Sequence, residues 1–283
     1  MTTTQPVLTS IAAIEYGEAP RKLDLLGPYP LPATPVPVIV RTTGAGWVEE
    51  GSAGAAMQAR PPGARFLAAA GFLVAVVSHR MSWQAAFPAQ LHDLQAAIRW
   101  LRVHAGEYPI DPNHIGIIGD SAGGHLAALA ALTGDRSGAA VQAAVAISAP
   151  SDFLSFGGVD PHQPQPSPPI RFARELNRGD ALTQLFGGPL ADRQDLMRFA
   201  SPLTHVHKGA PPFLIVHGTL DETVPFDQGR RLHEGLVAAG VDSTFVPIEG
   251  GYHNLRDVPD IPYPSPVWDR VGDLAIEFFT RTL

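Results

Sequence analysis

The 283-residue chain contains no cysteine, and charged side chains make up only 17% of it. The absence of cysteine excludes disulfide bonds, thiolate metal ligands and a cysteine nucleophile, and it leaves the redox compartment undetermined. The formal net charge is −7, and the basic residues do not form a cluster in the sequence. We therefore expect neither nucleic acid nor an anionic membrane surface as a partner.

Long hydrophobic runs are also missing. The most apolar stretch, residues 66–78, is interrupted by Gly71 and is too short to span a bilayer. It predicts the end of a helix, a turn at Gly71 and then a buried strand. The N-terminus has no basic segment followed by an apolar core, so we expect no signal peptide and a cytoplasmic protein.

The sequence does contain a regular succession of short apolar runs separated by helical patterns. Near-continuous apolar runs are typical of strands that are buried on both faces, as in a parallel sheet. Six such runs are present, at residues 36–40, 72–78, 114–120, 141–148, 212–218 and 243–248. Helical patterns lie at residues 88–108, 227–240 and 267–283. This alternation predicts an α/β fold with a doubly wound, mostly parallel sheet.

Two further segments complete the predicted domain. Residues 11–17 and 21–30 are candidates for antiparallel strands at one edge of the sheet. Residues 153–200 have no strand signal, and residues 160–170 contain a concentration of proline. A long irregular segment in a compact domain is usually functional or mobile. We therefore predict one domain over residues 1–283, with a cap-like insertion at residues 153–200 that folds over the carboxyl edge of the sheet.

Ser121 lies in a G-x-S-x-G motif, Gly119–Gly123, between a predicted buried strand and a predicted helix. A nucleophile elbow holds its serine in a strained backbone conformation, close to neighbouring backbone, which favours glycine two positions away on either side. The N-terminal N–H groups of the following helix would also favour a developing negative charge. This context indicates that Ser121 is a nucleophile and not an ordinary turn residue.

Later loops supply an acid and a base. Asp221 follows the apolar run at 212–218, and Glu222 beside it could take the same role. His253 follows the run at 243–248, in a loop that contains two glycines. The chain order Ser121, Asp221, His253 is the order of the α/β-hydrolase triad.

The chain has eleven histidines, so the others need an interpretation. His205 and His207 alternate as metal ligands can, but no carboxylate stands at a suitable spacing, so we predict no metal site. The remaining assignments are structural: His217 for packing or hydrogen bonding, His233 for the surface and His125 for helix packing.

An oxyanion hole requires two backbone donors. The N–H of Ala122 is one candidate, because it follows the serine. The others are Ala45 and Gly46, in the glycine-containing loop after the run at 36–40.

Several separated motifs together resemble the α/β-hydrolase esterases of the hormone-sensitive-lipase and bacterial feruloyl-esterase-like group. They are TGAGWVEEG, the segment from FPAQLHDLQAAIRWL to GDSAGGHLAALAA, SPLTHV, PPFLIVHGTLDETVP and GGYHNL. The resemblance runs from about residue 35 to the C-terminus. It implies serine-dependent hydrolysis of carboxylic esters without a metal or cofactor, with Ser121 as nucleophile, Asp221 as acid and His253 as base. The chain departs from the group at Thr43, where the group has a histidine, and at Ala45, where it has a glycine.

The sequence therefore predicts a serine carboxylesterase that acts on a small-molecule ester through an acyl-enzyme on Ser121. Two alternatives stay open, namely an arylformamidase-type amide hydrolase and a catalytically inactive hydrolase-fold binding module. Trp47, Trp83 and Phe153 are candidates for lining the substrate pocket, although core packing would explain each one singly. The sequence does not specify the acyl group, the alcohol or the oligomeric state.

Overall fold

The structure is a computed structural model, and it describes residues 7–17, 21–42, 44–48, 63–156, 181–255 and 266–283. The strands within these ranges are β1 (Leu8–Tyr16), β2 (Arg21–Pro28), β3 (Val36–Thr42), β4 (Leu73–Val77), β5 (Ile110–Asp120), β6 (Ala143–Ile147), β7 (Phe213–Gly218) and β8 (Ser243–Ile248). They form one eight-stranded sheet in the order β1-β2-β4-β3-β5-β6-β7-β8.

Most of the sheet is parallel. Parallel pairing joins β4 to β3, β3 to β5, β5 to β6, β6 to β7 and β7 to β8, whereas β1 pairs antiparallel with β2 and β2 pairs antiparallel with β4. The predicted fold class, a doubly wound and mostly parallel α/β sheet, is confirmed. The two early segments do form antiparallel strands at one edge.

The α-helices of the described ranges are α1 (Ala64–Ala69), α2 (Ala89–Val103), α3 (Ala122–Thr133), α4 (Phe153–Phe156), α5 (Ala181–Phe186), α6 (Gln194–Ala200), α7 (Phe226–Ala238) and α8 (Pro266–Thr282). Short 3₁₀ turns lie at Ala45–Trp47, Gly134–Ser137, Leu190–Asp192, Pro202–His205 and His253–Leu255. None of the helices within the described ranges is both long enough and apolar enough to cross a membrane.

Two apolar cores lie on opposite faces of the sheet. One contains strand residues such as Val38 and Ile117 together with α2, α3 and α7. The other contains the alternate strand residues, such as Ile39 and Ile118, together with α1 and α8. Because both faces are covered, the central strands carry apolar side chains at nearly every position, which explains why the apolar runs located them.

Strand β5 begins earlier than the sequence predicted, at Ile110 and not at His114. Ile110 pairs with Val36, and a register shift separates this pair from the regular pairing that starts at Ile115. Pro112 and Asn113 lie in the irregular part. Proline and asparagine are both unfavourable in strands, so the sequence pattern did not reveal the first residues of β5.

The part of the predicted cap-like insertion that begins at Ala181 packs against residues 81–87. The N–H of Phe87 donates to the carbonyl of Leu185 at 2.8 Å, and the rings of Phe87 and Phe186 lie 6.2 Å apart. Residues 157–180, the middle of that insertion, lie outside the described residues. The single-domain assignment and the cap therefore stay predictions.

Candidate active site

Ser121 occupies a sharp turn between β5 and α3. Its backbone has φ 52° and ψ −125°, a region that L-residues rarely adopt. A Cβ atom at Gly119 would lie 2.2 Å from the carbonyl oxygen of Gly123, so only glycine allows the strand and the helix to approach this closely. The N–H of Ser121 donates to the carbonyl of Ile147 at 2.8 Å, which ties the turn to β6.

Three side chains from separate loops meet at the carboxyl edge of the sheet. Nε2 of His253 lies 3.1 Å from Oγ of Ser121, and Nδ1 of His253 lies 3.0 and 2.9 Å from the two carboxylate oxygens of Asp221. A carboxylate can only accept, so Nδ1 carries the proton and Nε2 is free to accept the proton of the Ser121 hydroxyl. The structure thus brings together the three side chains that the sequence singled out.

Asp221 is held as a carboxylate by its surroundings. Its Oδ1 accepts the backbone N–H groups of Thr223 and Val224 at 2.9 and 2.8 Å. Nε2 of the fully buried His217 lies 3.4 Å from Oδ2 and donates to the carbonyl of Val224 at 2.9 Å. Burial alone would raise the pKa of Asp221, but hydrogen bonds from His217 and His253 outweigh it and hold that pKa well below its usual range.

Glu222, the alternative acid, contacts a different part of the same histidine. Its Oε2 accepts the backbone N–H of His253 at 3.0 Å. Asp221 is therefore the residue that contacts the imidazole, and Glu222 anchors the loop that carries it. Sequence reasoning did not anticipate this second contact.

The loop after β3 approaches Ser121. Residues Ala45–Trp47 form a 3₁₀ turn in which Gly46 has φ 61°, and Trp47 also has a positive φ of 62°. A Cβ atom at the preceding Gly44 would lie 3.4 Å from Cβ of Ser121. The candidate donors Ala45 and Gly46 therefore lie in a loop that passes close to Ser121, and Ala122 begins α3 directly after the serine. Thr43, one of the two departures from the resembled group, lies outside the described residues.

The three candidate pocket residues have different surroundings. Trp47 and Phe153 are buried and lie 5.7 Å apart, ring to ring, whereas Trp83 is 54% exposed. Trp47 and Phe153 also surround His125, which is fully buried. The indole N–H of Trp47 donates to Nδ1 of His125 at 3.1 Å, and Nε2 of His125 donates to the carbonyl of Ala200 at 2.8 Å.

Two buried charged residues beside the site were not identified from the sequence. Arg41, at the end of β3, forms an ion pair of 2.5 Å with Asp120, which precedes Ser121. The only signal in the sequence was that each interrupts or ends an otherwise apolar run.

The alternating histidines bind backbone groups. Nε2 of His205 lies 2.6 Å from the carbonyl of Phe199, and Nδ1 of His207 lies 2.9 Å from the carbonyl of His205. Across the part of the chain that the structure describes, histidine and carboxylate side chains form no group of three that could hold a metal ion.

The chain matches one protein-family model and several curated esterases. The BD-FAE family model matches residues 23–236. Esterase LipC of Mycobacterium tuberculosis is 31% identical over 236 residues, which cover 79% of this chain and 54% of LipC. Esterase LipQ of the same organism is 28% identical over 261 residues, which cover 89% of this chain and 58% of LipQ. The chain thus spans about half the length of the curated relatives it matches.

A solved structure matches over nearly its whole length. The truncated form of a carbohydrate esterase from gut microbiota has a TM-score of 0.79 and 26% identity to this chain, covering 98% of this chain and 97% of that one. The whole architecture described above is therefore similar to that of an esterase.

Proposed function

Because the chain belongs to the BD-FAE family of α/β-hydrolase esterases, we propose that it is a serine carboxylesterase that forms an acyl-enzyme on Ser121. One observation carries the proposal: Nε2 of His253 lies 3.1 Å from Oγ of Ser121, while Nδ1 faces both oxygens of the Asp221 carboxylate. This arrangement suits proton transfer from a hydroxyl that is otherwise a weak nucleophile.

In the first half of the reaction, Nε2 of His253 takes the hydroxyl proton while Oγ of Ser121 attacks the ester carbonyl. Asp221 fixes the Nδ1–H tautomer and stabilises the imidazolium that forms. Backbone N–H groups of Ala122, Ala45 and Gly46 serve as donors to the oxyanion. The tetrahedral intermediate then collapses, and the proton on Nε2 passes to the leaving alkoxide, which departs as an alcohol.

The second half repeats the same chemistry with water. Nε2 of His253 accepts a proton from a water molecule, which attacks the acyl carbonyl, and then returns the proton to Oγ of Ser121. The carboxylic acid leaves, and the serine is regenerated. No step requires a metal or an organic cofactor.

The substrate in this proposal is a small-molecule carboxylic ester. The similarity to a carbohydrate esterase makes an acetylated sugar one rational test substrate, alongside p-nitrophenyl acetate and butyrate. An N-formyl arylamide in the same assay tests the amidase alternative that the sequence left open.

The decisive experiment combines labelling with hydrolysis. A fluorophosphonate probe should attach to Ser121 of the wild-type protein, as mass spectrometry of the digested protein would show, and should not label Ser121→Ala. Hydrolysis by Ser121→Ala should fall by about 10⁴-fold or more, because loss of a triad member has an effect of that order. Ser10→Ala, at an exposed position on edge strand β1, is the matched control and should keep the wild-type rate. A Ser121→Ala variant that retained a tenth of that rate would contradict the proposal.

A further inference from the structure

Arg41 and Asp120 are buried charged side chains at the carboxyl ends of adjacent strands, β3 and β5. Arg41 is 5% exposed and Asp120 is 8% exposed. Nη2 of Arg41 donates to Oδ1 of Asp120 at 2.5 Å, and Nη1 donates to the carbonyl oxygen of Thr42. Within the described residues Nε of Arg41 has no hydrogen-bond partner. A buried charge is tolerated when it is paired, so each of these two charges depends on the other.

The carboxylate of Asp120 lies next to the candidate reaction centre. Asp120 immediately precedes Ser121, and a Cβ atom at Gly44 would lie 3.1 Å from Oδ2 of Asp120 and 3.4 Å from Cβ of Ser121. The carboxylate, the loop after β3 and the serine side chain are therefore packed around one glycine. The proposed reaction creates a negative charge on the substrate oxygen at this place. An Asp120 carboxylate without a counter-charge would destabilise this negative charge on the substrate oxygen.

We propose that Arg41 is a positioning residue for the esterase reaction. It neutralises the Asp120 carboxylate, and it fixes the end of β3 against the turn that carries Ser121, together with the following loop that holds the candidate oxyanion donors Ala45 and Gly46. The inference rests on the proposed function, because it assigns Arg41 a role in stabilising the oxyanion. Arg41 touches neither Ser121 nor substrate in this role. It acts through Asp120 and through the backbone of Thr42.

The first test is Arg41→Met, which removes the charge and deprives the buried Asp120 of its ion pair with Arg41. We expect kcat on an unactivated alkyl ester to fall by roughly 10²-fold, the scale of a lost oxyanion interaction, with little change in KM. The loss on p-nitrophenyl acetate should be smaller, since an activated ester demands less stabilisation of the oxyanion. Arg41→Lys keeps the charge and should retain kcat within about tenfold of wild type.

The double variant Arg41→Met, Asp120→Asn separates a charge effect from a packing effect. It removes the carboxylate as well, so kcat should recover at least tenfold relative to Arg41→Met alone. Arg21→Met controls for the loss of a paired arginine away from the site, because Arg21 also pairs with a buried aspartate, Asp93, and two strands separate β2 from β5 in the sheet. Asp93 keeps its second partner, Arg80, in this variant. Arg21→Met should lower the free energy of unfolding and leave kcat unchanged.

The outcomes distinguish this inference from the proposed function. If the wild-type protein hydrolyses no ester and Ser121 is not labelled, both are wrong. If Ser121→Ala is inactive but folded Arg41→Met keeps kcat within threefold of wild type, or the double variant is no faster than Arg41→Met, the proposed function stands and the role of Arg41 is overturned. Where Arg41→Met does not fold, Arg41→Lys decides, because a hundredfold loss of kcat in that folded variant also overturns the inference.

Discussion

Two neighbouring carboxylates, Asp221 and Glu222, contact the same histidine at different atoms. Asp221 faces Nδ1 of the imidazole with both oxygens, and Glu222 accepts the backbone N–H of His253. Only the first contact determines which ring nitrogen carries the proton. The second fixes the position of the loop but leaves the tautomer unaffected.

Asp221→Asn should therefore reduce kcat for ester hydrolysis by roughly 10⁴-fold, because an amide can donate to Nδ1 and so favour the wrong tautomer of His253. Glu222→Gln should reduce it by less than about tenfold, since its amide oxygen can still accept the backbone N–H. Steady-state kinetics on p-nitrophenyl acetate measures both effects. The reverse ranking would show that Glu222, and not Asp221, is the catalytic acid.

At the scale of single elements, the candidate site depends on how closely β5 and α3 approach each other at the elbow. Gly119 lies against the backbone of Gly123, and no side-chain movement could relieve a clash there, because the opposing atoms are backbone atoms. The strained φ of Ser121 is maintained by this contact and by the hydrogen bond to Ile147.

Gly119→Ala should therefore shift the elbow, lower the free energy of unfolding by about 1–3 kcal/mol as overpacking does, and reduce kcat on the order of 10²-fold through misplacement of Ser121. The matched control is Gly106→Ala, where a Cβ atom would meet nothing within 4 Å. Chemical denaturation and ester hydrolysis of both variants provide the comparison. Equal behaviour of the two variants would show that the elbow is not sterically fixed.

The apolar runs predicted the strands because parallel strands that are buried on both faces have a distinctive composition. The side-chain pairs around the site have no such signature in the sequence. The ion pair of Arg41 with Asp120 joins residues 79 positions apart, and the hydrogen bond of Trp47 to His125 joins residues 78 positions apart. Neither periodicity nor local spacing encodes such a contact. The order of Ser121, Asp221 and His253 was predictable because each follows a recognisable strand.

At the scale of the whole molecule, His125 links three parts of the chain. It lies on α3, accepts the indole N–H of Trp47 from the loop after β3, and donates to the carbonyl of Ala200 at the end of α6. The ring of Phe153 lies 4.8 Å from the imidazole. Because Nδ1 accepts and Nε2 donates, this arrangement requires the neutral imidazole. A protonated His125 would lose the contact with Trp47.

This requirement predicts a specific loss of stability in acid. Burial lowers the pKa of His125 to about 4, although the hydrogen bond to Ala200 opposes the shift, while an unfolded chain has a histidine pKa near 6.5. Between these two values the unfolded state binds the proton and the folded state does not, so the free energy of unfolding falls as the pH is lowered from about 6.5 towards 4. This contribution to the free energy of unfolding is fully present above pH 6.5. Its size is about 3 kcal/mol, because a shift of one pKa unit corresponds to about 1.4 kcal/mol.

His125→Gln removes the titration and keeps an acceptor and a donor in the same place. Urea denaturation at pH 7 and pH 4.5 should therefore show that wild type loses roughly 2–3 kcal/mol more of its free energy of unfolding than the variant does over this interval. His92→Gln, at an exposed position on α2, controls for the removal of one imidazole and should follow the wild-type curve. If the free energy of unfolding of wild type and of His125→Gln falls equally between pH 7 and pH 4.5, protonation of His125 is not the cause of the loss of stability in acid.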